Sequence, residues 1–197
     1  MPDHNSSIKP LKATNLPAEL ISLCNSIRAA GGSSWLVGGS VRDMVLGIKP
    51  KDFYLEVYGL EDKYLERQLK ACGRTETVVK QFGVQKLWIG DLEIDVALPR
   101  TEQKSGSGHC GFAISTDPSL SPEKASLRRD FTINAMMFDP LDESLLDFHG
   151  GLQDLQAGIL KHVSPAFAED PLRPLRAMQF AARFKLSLHP DTALLCK

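Results

Sequence analysis

Hydrophobic and polar positions divide the chain into helical and extended segments. Between Pro17 and Ala30 the apolar residues recur on one side of a helix, with proline at its start and two glycines just after its end. This pattern is typical of an amphipathic helix. Short apolar runs rich in β-branched and aromatic residues predict strands instead. These runs cover residues 34–37, 52–58, 75–80, 84–89, 92–98 and 145–148, and Gly90-Asp91 between two of them predicts a hairpin turn.

Further helices are predicted between and after these strands, from periodic apolar residues bounded by glycine or proline. They cover residues 40–46, 61–71, 122–136, 151–156 and 170–184, and residues 190–197 resemble the first turns of another helix. Residues 99–122 differ, because Thr, Ser, Lys, Glu and Gly follow one another there with almost no periodicity. We expect a long loop in this region, and loops of this length are usually functional or disordered.

The order of these elements predicts an α+β fold, in which a mixed, partly antiparallel sheet of about five strands is flanked by helices. We expect a flexible tail over residues 1–15, a head domain over 16–160 and the start of a helical neck over 161–197. The last residues carry no helix stop signal. We therefore expect either a piece of a longer protein or a naturally short relative.

Composition narrows the class of protein without deciding its function. The 197 residues are 43% hydrophobic and 24% charged, as in ordinary soluble globular proteins. The N-terminus lacks a signal-peptide pattern, so we expect a cytoplasmic protein. Four cysteines without metal-type spacing predict reduced thiols. The formal net charge of -1 argues against a strongly basic nucleic-acid clamp but allows a local basic groove.

A glycine pair, Gly38-Gly39, follows the first predicted strand. Glycine lets the backbone approach a phosphate closely, and the N–H groups at the start of the next helix suit an anion. Arg42 can bind phosphate oxygens with two N–H groups. Because no Gly-Lys-Ser/Thr follows, this is not a P-loop. On its own, a glycine pair after a strand is more often a simple turn.

Acidic residues occur on two of the predicted strands. Side chains alternate along a strand, so Asp52, Tyr54 and Glu56 share one face. Asp95 lies on a second strand between Ile94 and a valine, both of which point to the core. Carboxylates are ligands that magnesium prefers. In isolation, two such aspartates are more often solvated acids at strand ends.

Two later segments combine acidic, amide and arginine side chains. On the helix predicted over residues 122–136, Asp130 and Asn134 are four residues apart and share a face that Arg128 does not. A salt-bridged helix surface is the alternative interpretation of this segment. Asp170 precedes the next helix and is also a plausible N-cap, with Arg173 one turn further on.

The ordered blocks resemble the catalytic head of the tRNA nucleotidyltransferase (CCA-adding and A-adding) and bacterial poly(A) polymerase family. The resemblance runs from about residue 36 to residue 184 and is carried by residues 36–43, 51–54, 94–97, 128–135 and 169–173. It implies a polymerase-beta-like nucleotidyltransferase head followed by a helical neck. The implied activity is the template-independent addition of AMP or CMP, from ATP or CTP, to the 3′ end of tRNA or another RNA. The implied cofactor is Mg²⁺, in a two-metal reaction.

The resemblance also implies a role for each matching residue. Asp52 and Asp95 correspond to catalytic carboxylates that bind the metal ions. Asp170 and Arg173 correspond to the pair that reads the nucleobase, and Arg176 to a phosphate-binding or structural residue. The positions that match contacts to sugar and phosphates are Gly38, Gly39, Arg42, Arg129, Asp130 and Asn134.

One position departs from the family pattern. Tyr54 stands where the family has a second metal-binding aspartate, and a neutral phenol is a poor magnesium ligand at pH 7. The alternative function is therefore a catalytically impaired relative that still binds nucleotides. Glu56 lies on the same face but about 6.6 Å further along the strand, so we do not expect it to replace the missing ligand.

Two other hypotheses have less support in the sequence. A non-enzymatic RNA-binding module would need a basic run or an aromatic stacking surface, and the chain has neither. His109 lies in a glycine-rich segment without a second ligand at usable spacing, so we do not expect it to bind a metal. By resemblance, the main RNA-binding surface lies in helical domains that would follow residue 197.

Overall fold

The computed structural model describes residues 11–79, 83–104 and 112–197. The strands, in chain order, are β1 Ser33–Val37, β2 Phe53–Tyr58, β3 Arg74–Val79, β4 Val84–Ile89, β5 Leu92–Ala97, β6 Arg100–Lys104, β7 Phe112–Thr116, β8 Met137–Asp139, β9 Ser144–Leu146, β10 Ile159–Leu160 and β11 Ser187–Leu188. The helices are α1 Ala18–Ala29, α2 Gly39–Val45, α3 Asp62–Cys72, α4 Pro122–Ser126, α5 Gly151–Gln156, α6 Leu172–Phe184 and α7 Pro190–Leu195. Short 3₁₀ helices cover Ala13–Asn15, Thr132–Asn134 and Pro165–Glu169.

The main sheet has seven strands in the order β3-β4-β5-β2-β1-β8-β9. The central pair β2 and β5 is parallel, while the other neighbouring pairs are antiparallel. The predicted mixed sheet flanked by helices is therefore confirmed, with more strands than expected. β8 was not predicted because its three residues form too short an apolar run and directly follow a segment that was assigned to a helix.

The core lies between the sheet and its helices. Leu20, Leu23 and Ile27 of α1 are fully or almost fully buried, as the amphipathic pattern predicts. They belong to the same buried cluster as Leu36 of β1 and Ile94 of β5. The cluster therefore fixes which faces of β1 and β5 point inward. Because strand residues alternate, Asp95 is turned away from the side that Ile94 buries.

The prediction of a continuous loop over residues 99–122 is wrong for its described part. β6 and β7 pair antiparallel as a separate two-stranded ribbon, with Arg100 opposite Thr116. β6 has the sequence RTEQK, which contains no apolar residue. A strand without an apolar face leaves no alternating pattern, so its sequence gives no signal. His109 lies outside the described residues.

The helix predicted over residues 122–136 is also wrong beyond Ser126, where α4 ends. The Ser126 hydroxyl donates to the carbonyl of Glu123, and the Asp130 carboxylate accepts from the backbone N–H of Phe131. Such local bonds compete with a continuous helix. The buried Phe131 ring packs against Phe167 and Phe180, and this packing draws the chain out of a helical path.

The neck helix α6 begins at Leu172, one residue after Pro171, the predicted first helical position, and ends at Phe184 as predicted. Pro171 therefore takes the N-cap position predicted for Asp170, while the Asp170 carboxylate accepts a hydrogen bond from the Leu172 N–H at 2.9 Å. Within the predicted N-terminal tail, Ala13 donates its backbone N–H to Glu143 at 2.9 Å. None of the helices in the described part of the chain has the length and apolar character that a bilayer span requires.

Candidate active site

The glycine pair forms the turn between β1 and α2. Gly38 has a φ of 75°, a left-handed conformation that side chains other than glycine rarely adopt. A Cβ atom there would lie 3.4 Å from Nη1 of Arg129, and one on Gly39 would lie 3.3 Å from Nη2 of Arg42. Two guanidinium groups therefore lie directly against a backbone turn that has no side chains of its own.

The turn borders a cavity of about 420 Å³ between the ends of β1, β2 and β5, the turn after α4, and α6. The structure brings together most of the residues that the sequence predicted for the site. Those that line the cavity are Gly38, Gly39, Arg42, Asp95, Arg129, Asp130, Asn134 and Arg176.

Arg42 is 4% exposed, and most of its donors are already engaged. Its Nε and Nη2 atoms donate to Asp43 at 3.0 and 2.7 Å, and Nη1 donates to Asn134 at 2.7 Å. Its guanidinium also stacks 4.4 Å from the Phe184 ring and 5.2 Å from the Phe180 ring. Arg42 therefore joins α2 to α6 as well as lining the cavity, a structural role that sequence reasoning missed.

Asp130 connects the turn after α4 to the neck helix. One carboxylate oxygen accepts from the Phe131 N–H and from Nδ2 of Asn134 at 3.1 Å. The other accepts from Nε and Nη2 of Arg176 at 2.9 and 2.6 Å. The predicted proximity of Asp130 and Asn134 is confirmed, although a turn and a 3₁₀ helix bring them together instead of an α-helix.

Glu56 and two arginines form a buried ionic cluster beside the glycine turn. Glu56 is 2% exposed, and its two oxygens accept from Nη2 of Arg128 and Nη2 of Arg129, each at 3.0 Å. Burial alone would raise the pKa of Glu56, but the two guanidinium groups outweigh it and hold the pKa below its ordinary value. The carboxylate is therefore ionised at neutral pH and already fully paired.

The candidate metal ligands lie at the adjoining edge of the sheet. Tyr54 of β2 is directly opposite Asp95 of β5, and both line a depression of about 350 Å³ that Asp52 also borders. Burial, and then the neighbouring Asp95 and Asp52 carboxylates, raise the pKa of the Tyr54 phenol, which keeps it neutral at pH 7. Asp95 has a buried Oδ1 without a hydrogen-bond partner in the described part of the chain, while Nζ of Lys86 lies 3.6 Å from it.

These donors fit a magnesium ion only in part. Asp52 and Asp95 offer the oxygen ligands that the ion prefers, although the buried Oδ1 of Asp95 lies 3.6 Å from the ammonium group of Lys86, which an ion would have to displace. Within the described ranges, no group of three or more His, Cys, Asp or Glu side chains could enclose a metal. A carboxylate able to bridge two ions is missing where Tyr54 stands, so the site fits one ion better than two.

Asp170 and Arg173 lie apart from the described lining of the cavity. Arg173 is buried, its Nη2 donates to the backbone carbonyl of Arg128 at 2.7 Å, and its Nε lies 3.9 Å from Asp170. The two side chains therefore lie close to each other, and Arg173 supports the backbone of the arginine cluster. Its role in reading a nucleobase stays a prediction.

Residues 34–161 match the protein family described as the poly A polymerase head domain. The chain belongs to this family. Among the members of the family, the multifunctional CCA protein of Nitrosococcus oceani is 44% identical to this chain over 163 residues. The matched region covers 82% of this chain and 38% of that protein. The corresponding protein of Xylella fastidiosa strain 9a5c is 42% identical over 163 residues, covering 81% and 37%.

Solved structures of CCA-adding enzymes share the fold of this poly A polymerase head domain. The Bacillus stearothermophilus enzyme in complex with CTP superposes with a TM-score of 0.75 at 26% identity, covering 90% of this chain and 42% of that one. The Thermotoga maritima enzyme complexed with tRNA gives 0.73 at 27% identity, covering 92% and 42%. The head fold implied by the sequence motifs is thus confirmed, and the chain spans less than half the length of these relatives.

Proposed function

We propose that this chain is the catalytic head of an RNA nucleotidyltransferase that adds AMP or CMP, from ATP or CTP, to the 3′ end of tRNA or a related RNA. The names of its relatives and of the structures that share its fold support this function. The observation that carries it is the cavity at the glycine turn, which has a cluster of arginines and the strand carboxylate of Asp95 in one lining. The expected compartment is the cytoplasm.

The charge of the cavity fits a nucleoside triphosphate. Although the whole chain carries a formal net charge of -1, the described lining contains five arginines and three carboxylates. A positive site in a near-neutral protein attracts a polyanion specifically to that site. The arginines are Arg42, Arg100, Arg128, Arg129 and Arg176.

Each part of the cavity has a task in this proposal. Arg129, beside the glycine turn, would bind phosphate oxygens, since a guanidinium matches them with two N–H groups. Asp130 and Asn134 would bind the sugar hydroxyls. The carboxylate can accept hydrogen bonds from these hydroxyls, and the amide can either accept or donate them. Asp52 and Asp95 would hold Mg²⁺, which when bound neutralises phosphate charge and activates the attacking hydroxyl.

A second candidate function is that of a catalytically impaired relative that still binds nucleotides. It is favoured by Tyr54, and also by the surroundings of Glu56, the nearest acid on the same face of β2. Because Glu56 is buried and paired with Arg128 and Arg129, it is not available to replace the missing metal ligand. Both candidates predict nucleotide binding and differ in the rate of transfer.

We expect ATP and CTP to bind this chain with magnesium at dissociation constants below about 1 mM, equivalent to about -4 kcal/mol. Titration calorimetry measures the affinity. Arg129→Ala should weaken binding at least about tenfold, because a charge-assisted contact to phosphate is lost. Arg74→Ala is the matched control, since Arg74 stacks on Trp88 outside the cavity. A wild-type chain that binds neither nucleotide at millimolar concentration would contradict the proposed function.

Arg173→Ala should weaken base selection more than nucleotide binding. A side chain that pairs with a base edge contributes about 1–3 kcal/mol of discrimination, so the preference for ATP and CTP over GTP and UTP should fall at least about fivefold. The affinity for ATP itself should change less than about threefold, since the phosphate contacts remain. Competition titrations with the four nucleotides measure both quantities, and Arg183→Ala on the same helix serves as the control. An unchanged preference would exclude Arg173 from base recognition.

A further inference from the structure

Glu56 is an acid in an unusual place. It lies on a central strand, with Trp35 of β1 opposite it on one side and Ala97 of β5 on the other. Its neighbours along β2 are Leu55 and Val57, which are buried and apolar. A charged side chain is not needed here for stability, since a buried ion pair often stabilises the fold no more than an apolar side chain of similar size. The carboxylate therefore calls for a reason beyond folding.

The two arginines that Glu56 binds are adjacent in the chain and repel each other. Burial, and to a smaller extent the positive charge of Arg128, lower the pKa of Arg129, while the Glu56 carboxylate acts in the opposite direction. Glu56 offsets the repulsion by giving one oxygen to each arginine, at equal distances of 3.0 Å. One carboxylate thus separates two guanidinium groups and leaves the cluster with a net positive charge.

Independent contacts fix the rest of each arginine. The backbone carbonyl of Arg128 accepts from Arg173 at 2.7 Å, and Nη1 of Arg128 lies 3.8 Å from Glu102 on the β6–β7 ribbon. Nη1 of Arg129 lies against Gly38. The Nε atoms of both arginines are buried and have no hydrogen-bond partner in the described part of the chain. Each guanidinium is therefore held through its Nη2 atom, while its Nε–H group makes no hydrogen bond in this part of the structure.

We infer that Glu56 is a positioning residue for anion binding: it holds Arg128 and Arg129 apart, in the orientation that a triphosphate requires at the glycine turn. This inference rests on the proposed function and extends it. Glu56 itself touches no phosphate, since its two oxygens are taken by the arginines. It acts through Arg128 and Arg129, and its effect is preorganisation of the site before the ligand arrives.

A purely electrostatic role for Glu56 predicts the opposite change in triphosphate affinity. If Glu56 were only a negative charge near the anion, removing that charge would tighten triphosphate binding by simple Coulomb attraction. If it positions the arginines, removal weakens binding, because a neutral amide accepts through one oxygen only and its NH₂ group faces a guanidinium. The sign of the change therefore separates the two roles.

Glu56→Gln should raise the dissociation constants of ATP, CTP and inorganic tripolyphosphate by about tenfold, and by a similar factor for all three, because the arginines bind the shared phosphate chain. Titration calorimetry measures these constants below the unfolding temperature of each variant. Asp139→Asn is the matched control: Asp139 is another buried carboxylate of the main sheet, 4% exposed and paired with Arg28, but it lies outside the cavity. This control should lose stability and keep its affinity for all three anions.

A double-mutant cycle tests whether Glu56 acts through the arginines. In a chain that already carries Arg129→Ala, the additional Glu56→Gln change should cost much less affinity than it does in the wild type. Should Glu56→Gln fail to fold, Glu56→Asp keeps the charge but is one methylene shorter, and it should still weaken binding at least about threefold. Unchanged or tighter binding, or fully additive effects, would overturn the inference. A wild-type chain that binds tripolyphosphate but neither nucleotide would contradict the proposed function without contradicting the role of Glu56.

Discussion

Tyr54→Asp should accelerate nucleotide transfer by this chain at least about a hundredfold, which corresponds to about 2.7 kcal/mol of transition-state stabilisation. The substitution places a carboxylate on β2 directly opposite Asp95 on β5. A carboxylate there can bridge two magnesium ions, which a neutral phenol cannot do. Tyr54 is 45% exposed, so a smaller side chain leaves no cavity in the core, and the fold should be unaffected.

The rate is measured as incorporation of labelled CMP and AMP into a tRNA that lacks its 3′ terminal nucleotides. Both proteins have the same length, so any contribution from parts of the relatives beyond this chain cancels. Tyr54→Asn is the matched control, because asparagine has the shape of aspartate without its charge, and it should stay slow. Equal rates for the unsubstituted chain and the Tyr54→Asp variant would mean that another group supplies the ligand and that the metal-site assignment is wrong.

Metal binding gives a readout that does not depend on activity. Mn²⁺ can stand in for Mg²⁺, and its binding in the presence of ATP is followed by electron paramagnetic resonance. We expect the Tyr54→Asp variant to bind one more Mn²⁺ ion than the unsubstituted chain, since one bridging carboxylate completes the second site. Glu56 should not change this count, because Arg128 and Arg129 already occupy its oxygens.

Arg42→Ala should lower the free energy of unfolding by about 3 kcal/mol or more, as expected when one partner of a buried charged pair is removed. Arg42 is 4% exposed and contacts Asp43, Asn134 and the Phe184 ring at once. Its removal leaves these polar groups without their partner and loosens α6 from the head. Urea unfolding followed by circular dichroism measures the change, and hydrogen exchange locates it.

Lys70→Ala provides the comparison for this loss. Lys70 binds Glu66 one turn earlier on α3, and both side chains of this pair are exposed. Exposed ion pairs typically contribute less than about 1 kcal/mol, so this variant should be much closer to the wild type. Equal losses of unfolding free energy in the two variants would show that burial does not increase the contribution of the Arg42 contacts to stability.

Much of the fold could be predicted because its signals are local. The amphipathic spacing of α1, the β-rich runs of β4 and β5 and the glycine pair after β1 each specify an element without reference to distant residues. The acids of β2 and β5 followed from alternation along each strand, although only the parallel pairing brings Tyr54 and Asp95 together.

The features that were missed depend on contacts between distant parts of the chain. The ion pairs from Glu56 to Arg128 and Arg129 join residues more than 70 positions apart. Alternation did place Glu56 on the cavity face. In the sequence, however, Asp130 directly follows Arg129 and is the nearer acid, and only the structure shows that Asp130 binds Arg176 instead. The β6–β7 ribbon was missed for another reason: β6 contains no apolar residue and the three apolar residues of β7 are consecutive, so neither strand shows the alternating pattern of a half-buried strand.

Because β2 and β5 pair directly with each other, the chain that connects them can change in length without changing the geometry of the site. The segment between these strands, which includes α3, β3 and β4, can gain or lose residues at its turns while Tyr54 still faces Asp95. A single insertion inside β5 has the opposite effect, because it exchanges the two faces of the strand and turns Asp95 toward the core. Length variation among relatives should therefore be concentrated at the turns around α3 and be absent from the two strands that carry the acids.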